Sequence, residues 1–135
     1  MGYNILVVDD SASMRKVMRK VIQMSGFPVN TIYEAENGVN GLEICRQQEV
    51  EIILTDLNMP EMDGISFMEA LRADEEFSHI PVLVVSTEGR PAVMEKVEEI
   101  GAVEYVKKPF QPESISRVLS KLLEDENGTP ESPDF

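Results

Sequence analysis

Three short aliphatic runs, separated by helical patterns, constrain the fold of this sequence more than any other feature. They lie within Asn4–Val8, Glu51–Thr55 and Pro81–Ser86. Runs with so few polar residues are typical of strands that are buried on both faces, and such strands occur in parallel sheets covered by helices. The first expectation is therefore a buried parallel sheet at the centre of the domain.

Two more polar strands and five helices complete the pattern. Thr31–Ala35 and Glu104–Lys107 are expected near the edges of the sheet because they are less apolar. Residues that can cap a helix stand before three of the helical segments: Ser11 or Ser13, Asn37, and Asp63. Strand and helix alternate five times, which predicts an α/β fold of three layers, with helices on both faces of a five-stranded parallel sheet. The helices are predicted from apolar stripes over Met14–Ile22, Val39–Cys45, Phe67–Leu71, Val93–Ile100 and Ile115–Leu122.

The chain is strongly acidic, with a formal net charge of -13 and a pI near 4.4. This excess of acidic over basic residues disfavours nucleic acid and an anionic membrane surface as partners, because binding to either requires clustered Lys and Arg. The single cysteine, Cys45, cannot form an internal disulfide, and we expect it to be a small buried side chain on a helix. The apolar run Ile5–Val8 is too short for a secretory signal, so a cytoplasmic protein is expected.

The composition changes near residue 124. Residues 124–135 contain five acidic residues and no basic residue, together with one glycine and two prolines. A segment of this kind cannot bury enough apolar surface to offset the entropy of ordering it. The sequence therefore predicts a folded domain over residues 1–123 and a disordered acidic tail over residues 124–135.

Side chains that carry chemistry follow four of the predicted strands. Asp9–Asp10 follow the first strand, Asp56 the third, Ser86–Thr87 the fourth and Lys108 the fifth. Taken singly, an Asp after a strand is a common turn residue and a Lys is usually a surface residue. Because the carboxyl ends of parallel strands meet at one edge of the sheet, we expect these residues to converge.

Carboxylates brought together in this way repel one another unless cations compensate them. Oxygen ligands without His or Cys favour Mg²⁺, which is commonly held by one or two carboxylates and a phosphate oxygen. A carboxylate flanked by Mg²⁺ and by Lys108 can attack phosphorus, while these cations and the Ser86 hydroxyl neutralise charge on the phosphoryl oxygens. The pattern therefore points to phosphoryl transfer onto one of these carboxylates.

The motifs that carry this chemistry, in their order and spacing, resemble the receiver domain of bacterial response regulators. They are Val7–Ser11, Asp56–Gly64, Pro81–Ser86, Gly101–Ala102, Tyr105 and Lys108–Phe110. The resemblance extends from Asn4 to about Leu123 and is greatest to receivers that stand alone and act in chemotaxis. It implies a flavodoxin-like, doubly wound sheet with strand order 2-1-3-4-5.

The resemblance implies a role for each acidic residue of the site. Asp56 is the phosphoacceptor, which receives a phosphoryl group from a histidine kinase. Mg²⁺ or Mn²⁺ is held by Asp9, Asp10, Asp56 and the backbone carbonyl of Asn58. The cofactor expected from the sequence is thus a single divalent cation.

The resemblance also implies which residues contact the phosphoryl group and transmit its presence. Lys108 contacts it, together with the backbone of Thr87, and the Lys108–Pro109 peptide bond is expected to be cis. Ser86 is the hydroxyl that moves toward the phosphoryl oxygen, and Tyr105 then turns inward. The face made by the fourth helix, fifth strand and fifth helix is expected to change shape as a result.

Asn58 and Glu88 lie two positions after Asp56 and Ser86, respectively. In the family, residues at these positions line the phosphoryl group and tune its hydrolysis. Two departures concern the same loop: Ser86 replaces the more usual Thr, and Thr87 follows where a smaller residue often stands. The combination of Asn58 and Glu88 favours a short-lived phosphorylated state.

The function implied is a phosphorylation-activated signalling switch of a two-component system. It is not classed as an enzyme, although it assists its own phosphorylation and dephosphorylation. The expected partners are a histidine kinase and an output protein, which is a flagellar motor switch, an enzyme or a phosphotransfer protein, and the chain is expected to be a monomer. One alternative is a phosphorelay intermediate that passes phosphate to another histidine protein. A second alternative is a metal-dependent phosphohydrolase, but such enzymes usually need a second acid at the position that Asn58 occupies. A third is an interaction module that is never phosphorylated, and the complete set of site residues argues against it.

Overall fold

The computed structural model describes residues 2–127, which form five parallel strands and five helices. The strands pair in the order β2-β1-β3-β4-β5, so the predicted doubly wound topology is confirmed. The strands are β1 (Tyr3–Val8), β2 (Val29–Ala35), β3 (Ile52–Thr55), β4 (Val82–Ser86) and β5 (Glu104–Lys107). The helices are α1 (Ala12–Met24), α2 (Gly38–Gln47), α3 (Gly64–Ala73), α4 (Pro91–Ile100) and α5 (Pro112–Asn127).

Successive residues of the central strands enter two separate cores, one on each face of the sheet. Leu6, Val8 and Ile53 face the core that contains residues of α2, α3 and α4, including Phe67. On the opposite face, residues of α1 and α5 pack against a second core that includes Ile5, Val7, Leu54, Met18 and Ile115. Both faces are thus covered, which confirms the three-layer arrangement.

Helices α1, α2 and α3 begin at polar side chains that accept a backbone hydrogen bond. Ser11 Oγ accepts from Met14 N at 3.1 Å, so Ser11 rather than Ser13 caps α1. The predicted caps Asn37 and Asp63 are confirmed at α2 and α3, with distances of 2.9 Å and 2.8 Å. Helix α4 differs, because its N-cap residue Arg90 makes no side-chain capping bond.

Three residues assigned to apolar stripes lie at the surface instead. The exposed fractions are 45% for Val17, 41% for Val39 and 37% for Met94. Helical spacing identifies an apolar side of a helix, but it does not show how much of that side the sheet covers. Cys45 is buried as expected, and burial raises the pKa of its thiol to about 11.

Helix α5 continues to Asn127, four residues beyond the predicted domain boundary at residue 123. The rest of the predicted acidic tail, residues 128–135, lies outside the described residues. The division of the chain at residue 123 therefore stays a prediction.

Within residues 2–127, no helix combines the length and the apolar character needed to cross a membrane.

Candidate functional site

The carboxyl edge of the sheet brings together residues that are far apart in the sequence. Val8 pairs with Thr55 in the β1–β3 register, so Asp9 and Asp56 follow neighbouring positions on adjacent strands. The Asp56 amide donates to the Val8 carbonyl at 2.9 Å and continues the ladder by one residue. At the other side of β4, the Lys108 amide donates to the Ser86 carbonyl at 2.8 Å. Parallel pairing thus places these side chains at a common edge.

Three carboxylates form a compact acidic cluster at this edge. One oxygen from each of Asp9, Asp10 and Asp56 lies within 4.8 Å of the others. Asp9 and Asp56 are buried, with 1% and 8% of their surface exposed, whereas Asp10 is exposed. The cluster is therefore open to solvent on the Asp10 side.

Lys108 supplies the positive charge within this cluster. Its Nζ lies 2.7 Å from Asp9 Oδ2 and 3.1 Å from Asp56 Oδ2. Burial lowers the pKa of this ammonium, but hydrogen bonds and charge attraction from Asp9 and Asp56 outweigh that effect, so its pKa is raised overall. Lys108 therefore stays protonated between the two buried carboxylates. The Lys108–Pro109 peptide bond is cis, as the resemblance implied.

Backbone amides fix the other oxygens of the buried carboxylates. Ser11 N donates to Asp9 Oδ1 at 2.9 Å, and Leu57 N donates to Asp56 Oδ1 at 2.6 Å. These bonds orient the carboxylates and leave acceptor capacity on both, because each ionised carboxylate has about four lone-pair sites.

Arg15 is a supporting residue that the sequence analysis did not identify. Its Nη1 donates to the backbone carbonyl of Asp9 at 2.6 Å, while its Nε donates to Glu34 Oε1 at 2.9 Å. Arg19 binds the second oxygen of Glu34, with Nε at 2.9 Å from Oε2. The signal in the sequence is the spacing of four between Arg15 and Arg19, which puts both on one face of α1. Their common partner on β2 is a tertiary contact that this spacing does not identify.

The donor set fits a divalent cation. The three carboxylates and the Lys108 ammonium sum to a net charge of -2, which one divalent cation would cancel. All the side-chain donors are hard oxygens, which Mg²⁺ prefers, and they are close enough to share one ion. Within the described part of the chain, no hydrogen bond is made to the Asn58 carbonyl, so that predicted ligand atom is also free.

Gly64 allows the start of α3 to pack directly behind Asp56. A Cβ atom on Gly64 would collide with the backbone oxygen of Asp56 and lie 2.8 Å from Leu57 Cα. The Gly64 amide also donates to the Leu57 carbonyl at 2.8 Å. The loop that carries the candidate phosphoacceptor is therefore closed by a residue that has no side chain.

The predicted switch residues meet at the loop between β4 and α4. Ser86 is fully buried, and its Oγ accepts a hydrogen bond from Glu88 N at 3.2 Å. The Tyr105 hydroxyl donates to the Glu88 carbonyl, and burial raises the pKa of this phenol. Thr87, which stands between Ser86 and Glu88 in the chain, has an exposed side chain. Ser86 and Tyr105 are thus linked through the backbone of Glu88.

Among the described residues, no hydrogen bond joins the side chains of Asn58 and Glu88, the two residues assigned to hydrolysis. Asn58 is exposed, and the Glu88 carboxylate is bound by Arg90, with Nε at 2.8 Å from Oε2 and Nη2 at 2.9 Å from Oε1. The pairing of Glu88 with Arg90 was not foreseen from the sequence. A separation of two residues in a loop carries no periodicity that would predict it.

The comparisons with known proteins agree with the fold and identify the family. Residues 5–120 match the model of the response regulator receiver domain. The chemotaxis protein CheY of Pseudomonas aeruginosa is 36% identical over 124 residues, which cover 92% of this chain and 98% of that protein. Chemotaxis protein CheY-3 of Vibrio cholerae is 33% identical over 120 residues, covering 89% of this chain and 91% of the relative. The structure of the chemotaxis response regulator CheY4 of Vibrio cholerae superimposes with a TM-score of 0.78 at 30% identity, over 90% of this chain and 99% of that one.

Proposed function

The chain belongs to the response regulator receiver domain family, and we propose that it is a phosphorylation-activated switch of a two-component system, similar to CheY. In this proposal Asp56 accepts a phosphoryl group from a histidine kinase in the cytoplasm. The observation that carries the proposal is the position of Lys108 Nζ, which bridges Asp9 and Asp56 at 2.7 Å and 3.1 Å next to Asp10.

The chemistry follows from the charges at the sheet edge. An oxygen of Asp56 forms a bond to phosphorus while the bond from phosphorus to the donor nitrogen breaks, and the electron pair of that bond stays with the donor histidine. Lys108 and the Ser86 hydroxyl are the groups that would neutralise charge on the phosphoryl oxygens, together with the Thr87 amide. A Mg²⁺ ion held by Asp9, Asp10, Asp56 and the Asn58 carbonyl would supply further neutralisation of the transferred group.

The output is proposed to run through the face made by α4, β5 and α5. A phosphoryl group on Asp56 adds negative charge and acceptor oxygens beside Ser86, whose hydroxyl now accepts from the Glu88 amide. Drawing that hydroxyl toward the phosphoryl group would alter the loop contacts that also hold the Tyr105 hydroxyl. A protein partner that binds α4 and β5 would then discriminate between the two states.

The test is uptake of phosphate from a small donor. The purified full chain is incubated with acetyl phosphate and Mg²⁺, and its intact mass is measured by mass spectrometry. One added phosphoryl group is expected on the wild-type protein and none on Asp56→Asn, whereas Asp63→Asn, at the cap of α3, should still be modified. Equal uptake by Asp56→Asn, or no uptake by the wild-type protein, would overturn the proposal.

A further inference from the structure

Glu88 is held at three points by residues of β4, β5 and the loop between β4 and α4. Its amide donates to Ser86 Oγ at 3.2 Å, and its carbonyl accepts from the Tyr105 hydroxyl. Its carboxylate accepts three hydrogen bonds from Arg90, from Nε at 2.8 Å, Nη2 at 2.9 Å and the backbone N at 3.0 Å. The first two contacts involve the proposed switch residues Ser86 and Tyr105, whereas the third involves Arg90, which lies outside the proposed site.

The contacts from Arg90 use most of the acceptor capacity of the carboxylate. Two carboxylate oxygens offer about four lone-pair sites, and Arg90 occupies three of them, two on Oε2 and one on Oε1. The side chain of Glu88 is 10% exposed, while that of Arg90 is 76% exposed. A surface arginine thus holds a largely covered carboxylate in one orientation, with the bidentate geometry that a lysine cannot reproduce.

The same contacts make the carboxylate a poor base. Hydrogen bonds from the Arg90 side chain and backbone lower the pKa of Glu88 to about 2. A group with so low a pKa accepts a proton, or strong hydrogen bonding from water, less readily than an ordinary carboxylate. The orientation and the basicity of Glu88 are therefore both set by Arg90.

We propose that Arg90 is a positioning residue that slows loss of the phosphoryl group from Asp56, by fixing the orientation of the Glu88 carboxylate and occupying most of its acceptor sites. The inference rests on the proposed function. In hydrolysis the water oxygen forms a bond to phosphorus, and the bond between phosphorus and the Asp56 oxygen breaks. The electron pair of that bond returns to the Asp56 carboxylate, and the two protons of the water leave with inorganic phosphate. A Glu88 carboxylate released from Arg90 has free acceptor sites with which to accept a hydrogen bond from that water and orient it, whereas three of these sites are occupied when Arg90 is bound.

The lifetime of the phosphorylated protein tests this role. The full chain is phosphorylated with acetyl phosphate and Mg²⁺, the donor is removed by rapid desalting, and the decay of the phosphorylated form is followed by intact mass. Arg90→Ala is expected to shorten the lifetime about three- to five-fold, the rate equivalent of one exposed ion pair. Arg90→Lys keeps the charge but not the planar guanidinium that binds both carboxylate oxygens, so an intermediate lifetime is expected.

A double-mutant cycle distinguishes positioning of Glu88 from an independent effect of Arg90. In a Glu88→Ala background, Arg90→Ala should leave the lifetime unchanged, because the carboxylate that it holds is gone. An unchanged or longer lifetime for Arg90→Ala would overturn the inference, as would an equal shortening in the Glu88→Ala background. If the wild-type protein gains no phosphate, the proposed function fails; if it gains phosphate but Arg90→Ala has no effect on decay, only the role of Arg90 fails.

Discussion

The Nζ atom of Lys108 lies 2.7 Å from Oδ2 of Asp9, although the two residues are 99 positions apart in the chain. The same atom lies 3.1 Å from Oδ2 of Asp56, so one ammonium is shared between two buried carboxylates. Lys108 compensates the charge of both carboxylates, and they in turn stabilise its protonated form.

Removing this ammonium should destabilise the protein in the absence of divalent cations. Lys108→Ala leaves two buried carboxylates without a counter-charge, and we expect the free energy of unfolding to fall by about 2–4 kcal/mol. Urea denaturation in the presence of EDTA measures this change. The neighbouring Lys107→Ala is the matched control, because Lys107 is exposed and its replacement should change stability by about 0.5 kcal/mol or less. A similar loss in both variants would show that the shared ammonium is not important for stability.

Mg²⁺ should raise the melting temperature through the acidic cluster. A ligand that binds only the folded state stabilises it by RT ln(1 + [L]/Kd), so the shift grows with the Mg²⁺ concentration. Asp10→Asn should abolish this shift. Without Mg²⁺ it should raise the free energy of unfolding by about 0.5 kcal/mol, because it removes an exposed negative charge that repels Asp9 and Asp56. Glu36→Gln, at an exposed acid outside the cluster, should leave the Mg²⁺ response intact. Retention of the full shift by Asp10→Asn would argue against a metal site that includes this residue.

A methyl group at Gly64 should displace the loop that carries Asp56. Alanine is normally preferred to glycine in a helix, by roughly 0.5–1 kcal/mol. Here the collision with the Asp56 backbone oxygen should reverse that sign, and we expect Gly64→Ala to lower the free energy of unfolding by about 2 kcal/mol. Phosphate uptake from acetyl phosphate should also slow, because the acceptor carboxylate is carried by the displaced strand end.

Ser66→Ala is the control for this variant, since Ser66 is exposed in the same helix and its side chain caps nothing. Denaturation curves and uptake rates of the two variants are compared under the same conditions. Gly64→Ala protein as stable and as active as the wild type would mean that the backbone accommodates the added methyl group.

The free energy of unfolding should depend on pH in the acidic range because of Glu34. Burial raises the pKa of this carboxyl, but hydrogen bonds from Arg19 and Arg15 outweigh burial, so its pKa is lowered relative to the unfolded chain. A lowered pKa stabilises the fold above the ordinary glutamate pKa of about 4.5, and this contribution is lost as the pH falls through the folded-state value. Glu34→Gln should therefore be less stable than the wild type at pH 7, and the difference should shrink below pH 4.5.

Urea denaturation at several pH values measures this difference, with Glu36→Gln as the exposed control on the same side of the domain. A difference that stays constant from pH 7 to pH 3 would show that Glu34 does not titrate with the fold.

The predicted positions of three of the site residues were correct because they depended on topology. Asp9, Asp56 and Lys108 were placed at one edge because parallel strands deliver their carboxyl ends together, and the register of β1 with β3 bears this out. How side chains pair was not foreseen. The assignment of Glu88 to the phosphoryl group rests on its position in a motif and stays a prediction, and that position did not reveal that Arg90 binds the Glu88 carboxylate. Motif position specifies a residue's place along the backbone but not the direction of its side chain.

The sequence by itself determined the order of strands and helices, the buried and edge strands, three helix caps and the residues at the carboxyl edge. These properties depend on local periodicity and short-range hydrogen bonding, which a linear pattern records. Only the tertiary structure decided that Lys108 is shared by Asp9 and Asp56, that Arg15 supports Asp9, and that Gly64 packs against the backbone of Asp56. The physical reason is that these contacts depend on strand register and on side-chain direction between elements distant in sequence, about which the spacing of residues along one element carries no information.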